Sequence, residues 1–209
     1  MRKSLTTAAA SLWIMGAMIC SANSASAQHS EEELRVLNRK VSADKQSGAV
    51  QLNEMDKVGI AWITGKEFTT GTIEFEVKGK DKFQGSFLGI AFHGLNDTTY
   101  EAVYFRPFNF HSTDPVRKSH AVQYIANPTY DWPKLRSEYP NQYEQPVSSV
   151  IDPNQWFHVK LEVSADKIKV YANKEAVLEL KPLVGPQGKM IGYWVGDGSG
   201  GNWKNLKIY

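Results

Sequence analysis

The chain has 209 residues, of which 24 are basic and 22 are acidic, and it contains one cysteine, Cys20. This near balance of charge argues against a nucleic acid or an anionic membrane as a partner, because either would favour a clustered basic face. A single cysteine excludes an intrachain disulfide and a thiolate metal cluster. The length suffices for one domain that buries a full core without such cross-links.

The first 27 residues are predicted to be an export signal. Arg2 and Lys3 form a positive start, residues 12–19 form a short apolar core, and residues 25–27 read Ala-Ser-Ala, a typical cleavage site. The apolar run is too short to span a membrane, and no later segment is longer, so no transmembrane segment is expected. We expect cleavage near Ala27 and a periplasmic or secreted protein with 22 basic and 22 acidic residues. A lipid anchor on Cys20 is disfavoured by the bulky side chain before it.

After a charged lead-in over residues 28–48, the chain is predicted to form a single domain of short β-strands over residues 49–209. Residues 72–78 alternate cleanly, with Ile73, Phe75 and Val77 on one face and polar side chains on the other. Residues 157–163 repeat that alternation. Many short strands with regular turns and almost no helical periodicity predict an all-β, antiparallel two-sheet sandwich or jelly roll. The predicted strands cover residues 50–52, 58–63, 72–78, 87–93, 100–106, 120–125, 157–163, 168–172, 176–180, 190–196 and 205–209.

An irregular insert at residues 127–147 interrupts this series. Asp131 is predicted to cap a short helix with Pro133 in its first turn, ended at Tyr139 and Pro140. The insert also carries Tyr130, Trp132 and Tyr143. These rings could pack on the C–H faces of a sugar, with Trp132 the best candidate, or they could serve only to order a long loop. Residues 107–118, before it, are expected to be a loop.

The order of segments resembles a known superfamily. The segments GTIEFEVKG, SFLGIAFHG, YEAVYFRPF, WFHVKLEVS, KIKVYANKE and GKMIGYWVGDGSGGNWKNLKIY are similar to those of concanavalin A-like lectins and glucanases. The laminin-G-like jelly rolls and the 3-keto-disaccharide hydrolase-like domains of exported bacterial proteins resemble the chain most. The resemblance covers nearly the whole chain after the leader. It implies two packed antiparallel sheets, of which the concave one commonly binds carbohydrate; activity must be argued from the site.

The strands at residues 87–106, joined by a polar turn at residues 94–99, suggest a binding face. Gly89 and Ala91 alternate with bulky apolar residues and lead to His93, and small residues let a ligand approach the backbone closely. Tyr104 and Arg106 of the second strand are expected on the same face as His93. The alternative is that these are ordinary outward residues of a sheet with one wet face.

The candidate catalytic residues come from these neighbouring strands. The superfamily's glucanases carry the acid pattern E-x-D-x-x-E, which this chain lacks; Glu74 and Glu76 share a face, but no third acid follows. A histidine base and an arginine that stabilises an oxyanion would suit the keto-sugar chemistry that the resemblance implies. The tentative catalytic residues are His93, Glu101, Tyr104, Arg106 and His120, and the tentative ligand-binding residues are Gln123, Tyr130, Trp132 and Trp194.

Side chains alternate between the two faces of a strand, and this alternation reduces the set of candidates that can share one site. On regular strands Glu101 faces away from Tyr104, and His120 faces away from Gln123. The mutually consistent group is therefore predicted to be His93, Tyr104, Arg106 and Gln123. Trp194 shares the face of two glycines and is expected at the groove floor.

Three functions remain open at this level. A carbohydrate-binding module is favoured, because no complete catalytic set can be identified. The alternatives are an enzyme that acts on an oxidised (3-keto) or acidic sugar by hydrolysis or elimination, and an adhesion module that binds protein. No cofactor is expected; His111 with Asp114, or Asp197 with Asn202, could offer ligands to calcium, but neither pair has the spacing of a recognised site. The sequence does not indicate an oligomeric state.

Overall fold

The structure is a computed structural model that describes residues 1, 33–44, 46–148 and 150–209. Nearly all of the predicted export signal lies outside these residues. The described residues include fourteen strands, two short α-helices and a 3₁₀ turn at Pro107–Asn109. In chain order they are β1 (Leu34–Leu37), β2 (Val41–Asp44), β3 (Ala49–Leu52), β4 (Gly59–Ile63), β5 (Gly71–Lys78), β6 (Leu88–Gly94), β7 (Tyr100–Phe105), α1 (Pro115–Ser119), β8 (Val122–Asn127), α2 (Trp132–Glu138), β9 (Glu144–Gln145), β10 (Phe157–Val163), β11 (Ile168–Ala172), β12 (Glu175–Leu180), β13 (Met190–Val195) and β14 (Gly201–Ile208).

The strands form two antiparallel sheets of seven strands each. The first sheet has the order β1-β4-β13-β6-β7-β8-β9, and the second has the order β12-β11-β10-β5-β14-β3-β2. Strands that follow each other in the sequence often do not lie side by side in a sheet, as expected for a jelly roll rather than a simple meander. The predicted all-β two-sheet sandwich is confirmed.

The main core lies between the two sheets. Trp203 of β14 is fully buried, its ring lies 5.3 Å from that of Tyr193, and its Nε1 donates a hydrogen bond to the Gly89 carbonyl at 3.1 Å. Phe105 of the first sheet meets Phe157 of the second with ring centroids 5.2 Å apart. The bulky faces of β6, β7 and β13 therefore point toward the second sheet.

The outer faces of the two sheets differ. On β5 and β10 of the second sheet, buried and partly exposed residues alternate, as their period-2 pattern predicts. On β6 and β7 of the first sheet, every residue is buried. The insert, the segment between β7 and β8 and the segment before β6 cover that outer face, so its polar residues are buried too.

Two segments are more regular than the sequence predicted. Leu34–Leu37 pairs with β4 and Val41–Asp44 pairs with β3, so these parts of the expected lead-in are edge strands of the sandwich. Residues 107–118 were expected to be a loop, but Asp114 accepts a hydrogen bond from the backbone N–H of Val116 and begins α1. An Asp-Pro pair is a helix-start signal, which explains this difference.

The predicted insert helix is confirmed. Asp131 caps α2 by accepting a hydrogen bond from the backbone N–H of Lys134 at 3.2 Å, and a proline lies in the first turn. Tyr139 ends the helix. Leu135 is buried, which fixes α2 on the first sheet beside β8.

Candidate functional site

The outer face of the first sheet carries a pair of aromatic rings across a glycine. Gly89 of β6 pairs with Tyr104 on one side and with Trp194 on the other. The two rings meet with centroids 4.6 Å apart and an angle of 32° between their planes. A Cβ atom at Gly89 would lie 2.0 Å from the Val103 carbonyl oxygen and 2.6 Å from the Tyr104 Cα. A side chain here would overlap the backbone of β7, so this position requires glycine.

Arg106 lies directly beyond this pair, at the end of β7. Its side chain donates to the His120 carbonyl at 2.8 Å, to the Tyr104 hydroxyl at 2.8 Å and to the Gln123 Oε1 at 3.3 Å. The guanidinium carbon lies 4.9 Å from the centre of the Tyr104 ring. Burial lowers the pKa of Arg106 and raises the pKa of Tyr104. A guanidinium nevertheless stays protonated, so a buried positive charge lies beside the ring pair.

A buried carboxyl group next to Arg106 joins three elements. Glu144 of β9 accepts hydrogen bonds from Arg136 of α2, from Nε at 3.0 Å and from Nη2 at 2.8 Å. The same group lies 2.8 Å from the Nδ1 atom of His120, which follows α1. Burial lowers the pKa of His120 in spite of this neighbour, so its imidazole is neutral at pH 7. The hydrogen bond to Glu144 places the single ring proton on Nδ1.

These groups line a cleft of about 630 Å³, called here the outer cleft. Tyr104, Arg106 and Trp194 form its floor. Trp132 and Arg136 of α2 form one wall, and the Trp132 side chain is 47% exposed. The cleft therefore has an aromatic and cationic lining under a partly exposed tryptophan.

Three phenylalanines form the opposite wall, called here the phenylalanine wall: Phe83, Phe87 and Phe108. Phe108 contacts both others edge-to-face, with centroids 5.8 Å from Phe83 and 5.3 Å from Phe87. Each end carries a guanidinium: Arg117 lies 4.4 Å above the Phe83 ring, and Arg106 lies 5.7 Å from the Phe87 centroid. The wall thus aligns two cations along one side of the outer cleft.

Five of the residues proposed from the sequence line the outer cleft, and four do not. Gln123 is fully buried behind Arg106 and donates to the backbone carbonyls of Tyr124 and Tyr143. Tyr130 packs edge-to-face on Tyr139, away from the lining. The five that line the cleft are Tyr104, Arg106, His120, Trp132 and Trp194.

The expectation that His93 shares the face of Tyr104 is wrong. One extra residue of β6 opposes β13 at this point, which is a β-bulge, and His93 has a φ of +53°. This left-handed backbone turns the imidazole into the sandwich interior. There Nδ1 lies 2.6 Å from the Glu101 carboxyl, and Nε2 lies 2.6 Å from the Thr69 carbonyl oxygen.

Glu101 belongs to the same interior cluster. Its second oxygen accepts a hydrogen bond from the Tyr124 hydroxyl, and its side chain is 1% exposed. Burial, with the Glu101 carboxyl nearby, raises the pKa of Tyr124. His93 and Glu101 therefore satisfy each other inside the core and do not reach the outer cleft.

Sequence reasoning missed most of the two walls. Phe83 lies between two predicted strands, in a stretch to which no role was assigned, and Arg117 lies in the segment that was expected to be a loop. The Asp114-Pro115 start signal could have placed Arg117 on a helix beside the sheet. No local pattern indicates that Phe83 and Phe108 meet, because that contact joins two separate loops.

Other acidic residues were considered above as a catalytic pair or as calcium ligands. They lie on the second sheet or accept hydrogen bonds from the protein itself. Glu74 accepts from the Tyr209 hydroxyl and Glu76 from the Asn205 amide, both on the second sheet. Asp197 accepts a hydrogen bond from the backbone N–H of Lys57. Within the described ranges, no three His, Cys, Asp or Glu side chains are grouped as a metal site would need. None of the helices in those ranges has the length and apolarity to cross a bilayer.

Comparisons with known proteins identify the fold. No protein-family model matches the chain, and neither does any curated protein sequence. Among solved structures, the carbohydrate-binding module CBM66 from Bacillus subtilis superposes with a TM-score of 0.58 and 16% identity, over 83% of this chain and 93% of that one. The exoplasmic/lumenal domain of VIP36 in its Ca²⁺/Man3GlcNAc-bound form gives 0.55 and 13%, over 87% of each chain. The Bacillus licheniformis β-glucanase gives 0.50 and 14%, over 79% of each.

These likenesses define a class. The protein is an antiparallel two-sheet β-sandwich of the jelly-roll type, a fold that it shares with these solved structures. Because the sequence identities are only 13–16%, the similarity shows a shared fold and no more than that.

The glycine between the two rings gives a first prediction. Gly89→Ala should lower the free energy of unfolding by about 1–3 kcal/mol, because the added methyl group overlaps the backbone of β7. Gly185→Ala is the matched control, since a Cβ there meets nothing within 4 Å. Urea unfolding of both variants measures the difference. Equal stability of the two variants would show that Gly89 is not sterically required.

The interior cluster gives a second prediction. Glu101→Ala should cost about 3–5 kcal/mol, because His93 and Tyr124 would each lose a buried partner. The control is Glu179→Ala, whose side chain is 51% exposed and which should change stability by less than about 0.5 kcal/mol. Guanidinium unfolding measures both. A small loss at Glu101 would mean that the cluster is not structural.

Proposed function

We propose that the protein is an exported carbohydrate-binding domain whose saccharide ligand lies in the outer cleft. The observation that carries the proposal is the lining itself: the Tyr104–Trp194 pair at the floor, Trp132 at the rim and Arg106 beside them. Ligand sites are typically concave and aromatic with a few fixed polar groups. A sugar ring offers C–H faces to such rings and hydroxyl groups to such polar atoms.

The cleft combines two fixed aromatic rings with one exposed ring, which supports this proposal. The Tyr104 hydroxyl is held by Arg106, and the Trp194 Nε1 donates to the Tyr100 hydroxyl at 3.1 Å. Both rings are therefore fixed before a ligand arrives, which reduces the entropic cost of binding. Trp132, by contrast, is about half exposed, so its ring is accessible to a ligand.

The structural likenesses support a sugar as the ligand class. CBM66 is named as a carbohydrate-binding module, and the VIP36 domain is named in a form bound to Man3GlcNAc. The predicted leader at residues 1–27 supports export, which would bring the domain to periplasmic or extracellular glycans.

A tryptophan exchange tests the proposed site. We expect Trp132→Ala to weaken saccharide binding by about tenfold or more, because truncation of an exposed aromatic anchor removes its contact area. Its melting temperature should change little, since about half of Trp132 is already exposed to solvent. A glycan array would identify a ligand, and calorimetric titration would measure the affinity.

Trp156→Ala is the control for this experiment. Trp156 is also partly exposed, but it lies with Lys204 of β14, on the second sheet. Binding should be unchanged in that variant. An array without any bound glycan would contradict the proposed function, and an equal loss in both variants would contradict the proposed cleft.

One observation favours an enzyme as a second candidate. His120 lines the outer cleft, is neutral, and carries its proton on the nitrogen that faces Glu144. Its other nitrogen is free to accept a proton, and Arg106 is available to stabilise an enolate-like oxygen. Such a pair suits proton removal beside the carbonyl group of an oxidised or acidic sugar.

The pH dependence of turnover tests this candidate. A base must be unprotonated, so the rate should rise with pH through the lowered pKa of His120 and remain level above its ordinary value of 6.5. His120→Asn should reduce turnover by about 10²–10⁴-fold. Assays with 3-keto-disaccharides and unsaturated-product detection on uronate oligomers provide the measurement. Absence of turnover at every pH would exclude this candidate and leave the binding domain.

A further inference from the structure

The charge of Arg106 has no counter-charge in direct contact. Its side chain is buried, with 5% of the residue exposed, and its three hydrogen bonds all go to neutral oxygens. None of the ion pairs between described residues includes it. These three bonds use its Nη1 and Nη2 atoms. A buried cation of this kind is costly unless something else compensates it.

Arg39 shows how the same protein satisfies a buried guanidinium for structural purposes. It is 8% exposed, comparable to Arg106. Its three nitrogens donate to five backbone carbonyls, so its donor capacity is fully used. Asp56 and Asp197 add negative charge nearby. Arg106 makes fewer hydrogen bonds, and it has one acid nearby, Glu144, which makes its direct contacts with Arg136 and His120.

Two further polar atoms along the phenylalanine wall lack partners. The Arg117 Nε atom is buried and donates to no described group. The Asn109 Oδ1 atom is likewise buried without a donor, and Asn109 is 4% exposed. Both residues line the outer cleft. One side of the cleft therefore holds two cations with spare donors and one spare acceptor.

The nearby acids make their direct contacts with groups other than these two cations. Glu144 is already shared between Arg136 and His120. Asp131 accepts from the backbone of α2, and Asp197 accepts from the backbone of Lys57. The acids around the cleft thus bind other groups. Neither Arg106 nor Arg117 forms an ion pair with a described residue.

We infer that the saccharide of the proposed function is acidic, and that its carboxylate or sulfate group lies against Arg106 and Arg117. This inference rests on the proposed function and narrows its ligand class. A guanidinium presents forked donors that match both kinds of anion, and charge-assisted hydrogen bonds are stronger than neutral ones. The Asn109 Oδ1 atom accepts a hydrogen bond from a hydroxyl group of the same sugar. The anion would add to the partial compensation that Arg106 receives from Glu144.

Matched polysaccharide pairs test the inference on the full chain. Affinity electrophoresis compares polygalacturonate with its carboxyl-reduced form, and dextran sulfate with dextran. The protein should be retarded by at least one anionic polymer and not by its neutral counterpart, and the retarding pair identifies carboxylate or sulfate. Retardation should weaken as salt rises from about 50 to 500 mM, because the added ions screen the attraction.

Substitutions of single arginines test where on the protein the acidic polymer binds. Arg106→Gln and Arg117→Gln should each weaken binding of the acidic polymer by about ten- to a hundredfold. Arg35→Gln is the control, since Arg35 is 51% exposed and pairs with Asp97 outside the cleft. Arg117 is only partly buried, so Arg117→Gln retains the test where Arg106→Gln fails to fold.

The outcomes separate this inference from the proposed function. Equal retardation by neutral and acidic polymers, unchanged in the two cleft variants, overturns the inference and leaves saccharide binding intact. Retardation by no polymer, together with a silent glycan array, overturns both. An equal loss in Arg35→Gln would show a general charge effect and would also overturn the inference.

Discussion

Burial of the first sheet on both faces is the constraint on which the rest of this structure depends. The second sheet covers one face of β6 and β7, and the insert with the neighbouring loops covers the other. A polar side chain on the outer face must therefore find its partners under that cover or in a ligand, because little water reaches it. Gln123 and Glu144 find theirs within the chain, and Arg106 only in part.

Gly89 connects the core with the outer cleft. Its carbonyl oxygen accepts the hydrogen bond from Trp203, deep between the sheets. Its missing side chain lets Tyr104 and Trp194 meet on the opposite face. One residue thus positions the largest core side chain and the floor of the cleft, so packing in the sandwich and geometry of the cleft are coupled.

The sequence was sufficient for the fold and for part of the cleft. Alternation along β5 and β10 reports one wet face, and the Asp131 and Pro133 signals are local, so these elements were predicted correctly. His93 was misplaced because strand parity assumes a regular strand, and a bulge is not visible in alternation. The phenylalanine wall was missed because tertiary contacts between loops assemble it.

The anchoring of α2 has a consequence for how the domain can change. Trp132 stacks on Arg136 at 4.9 Å, and Arg136 is fixed by Glu144 at the sheet edge. The rim is therefore carried by a short helix that buried Leu135 and the Arg136–Glu144 ion pair hold on the sandwich. Substitutions on the exposed side of this helix can change the shape of the cleft opening while Leu135 stays buried, so ligand selectivity can vary without loss of the fold.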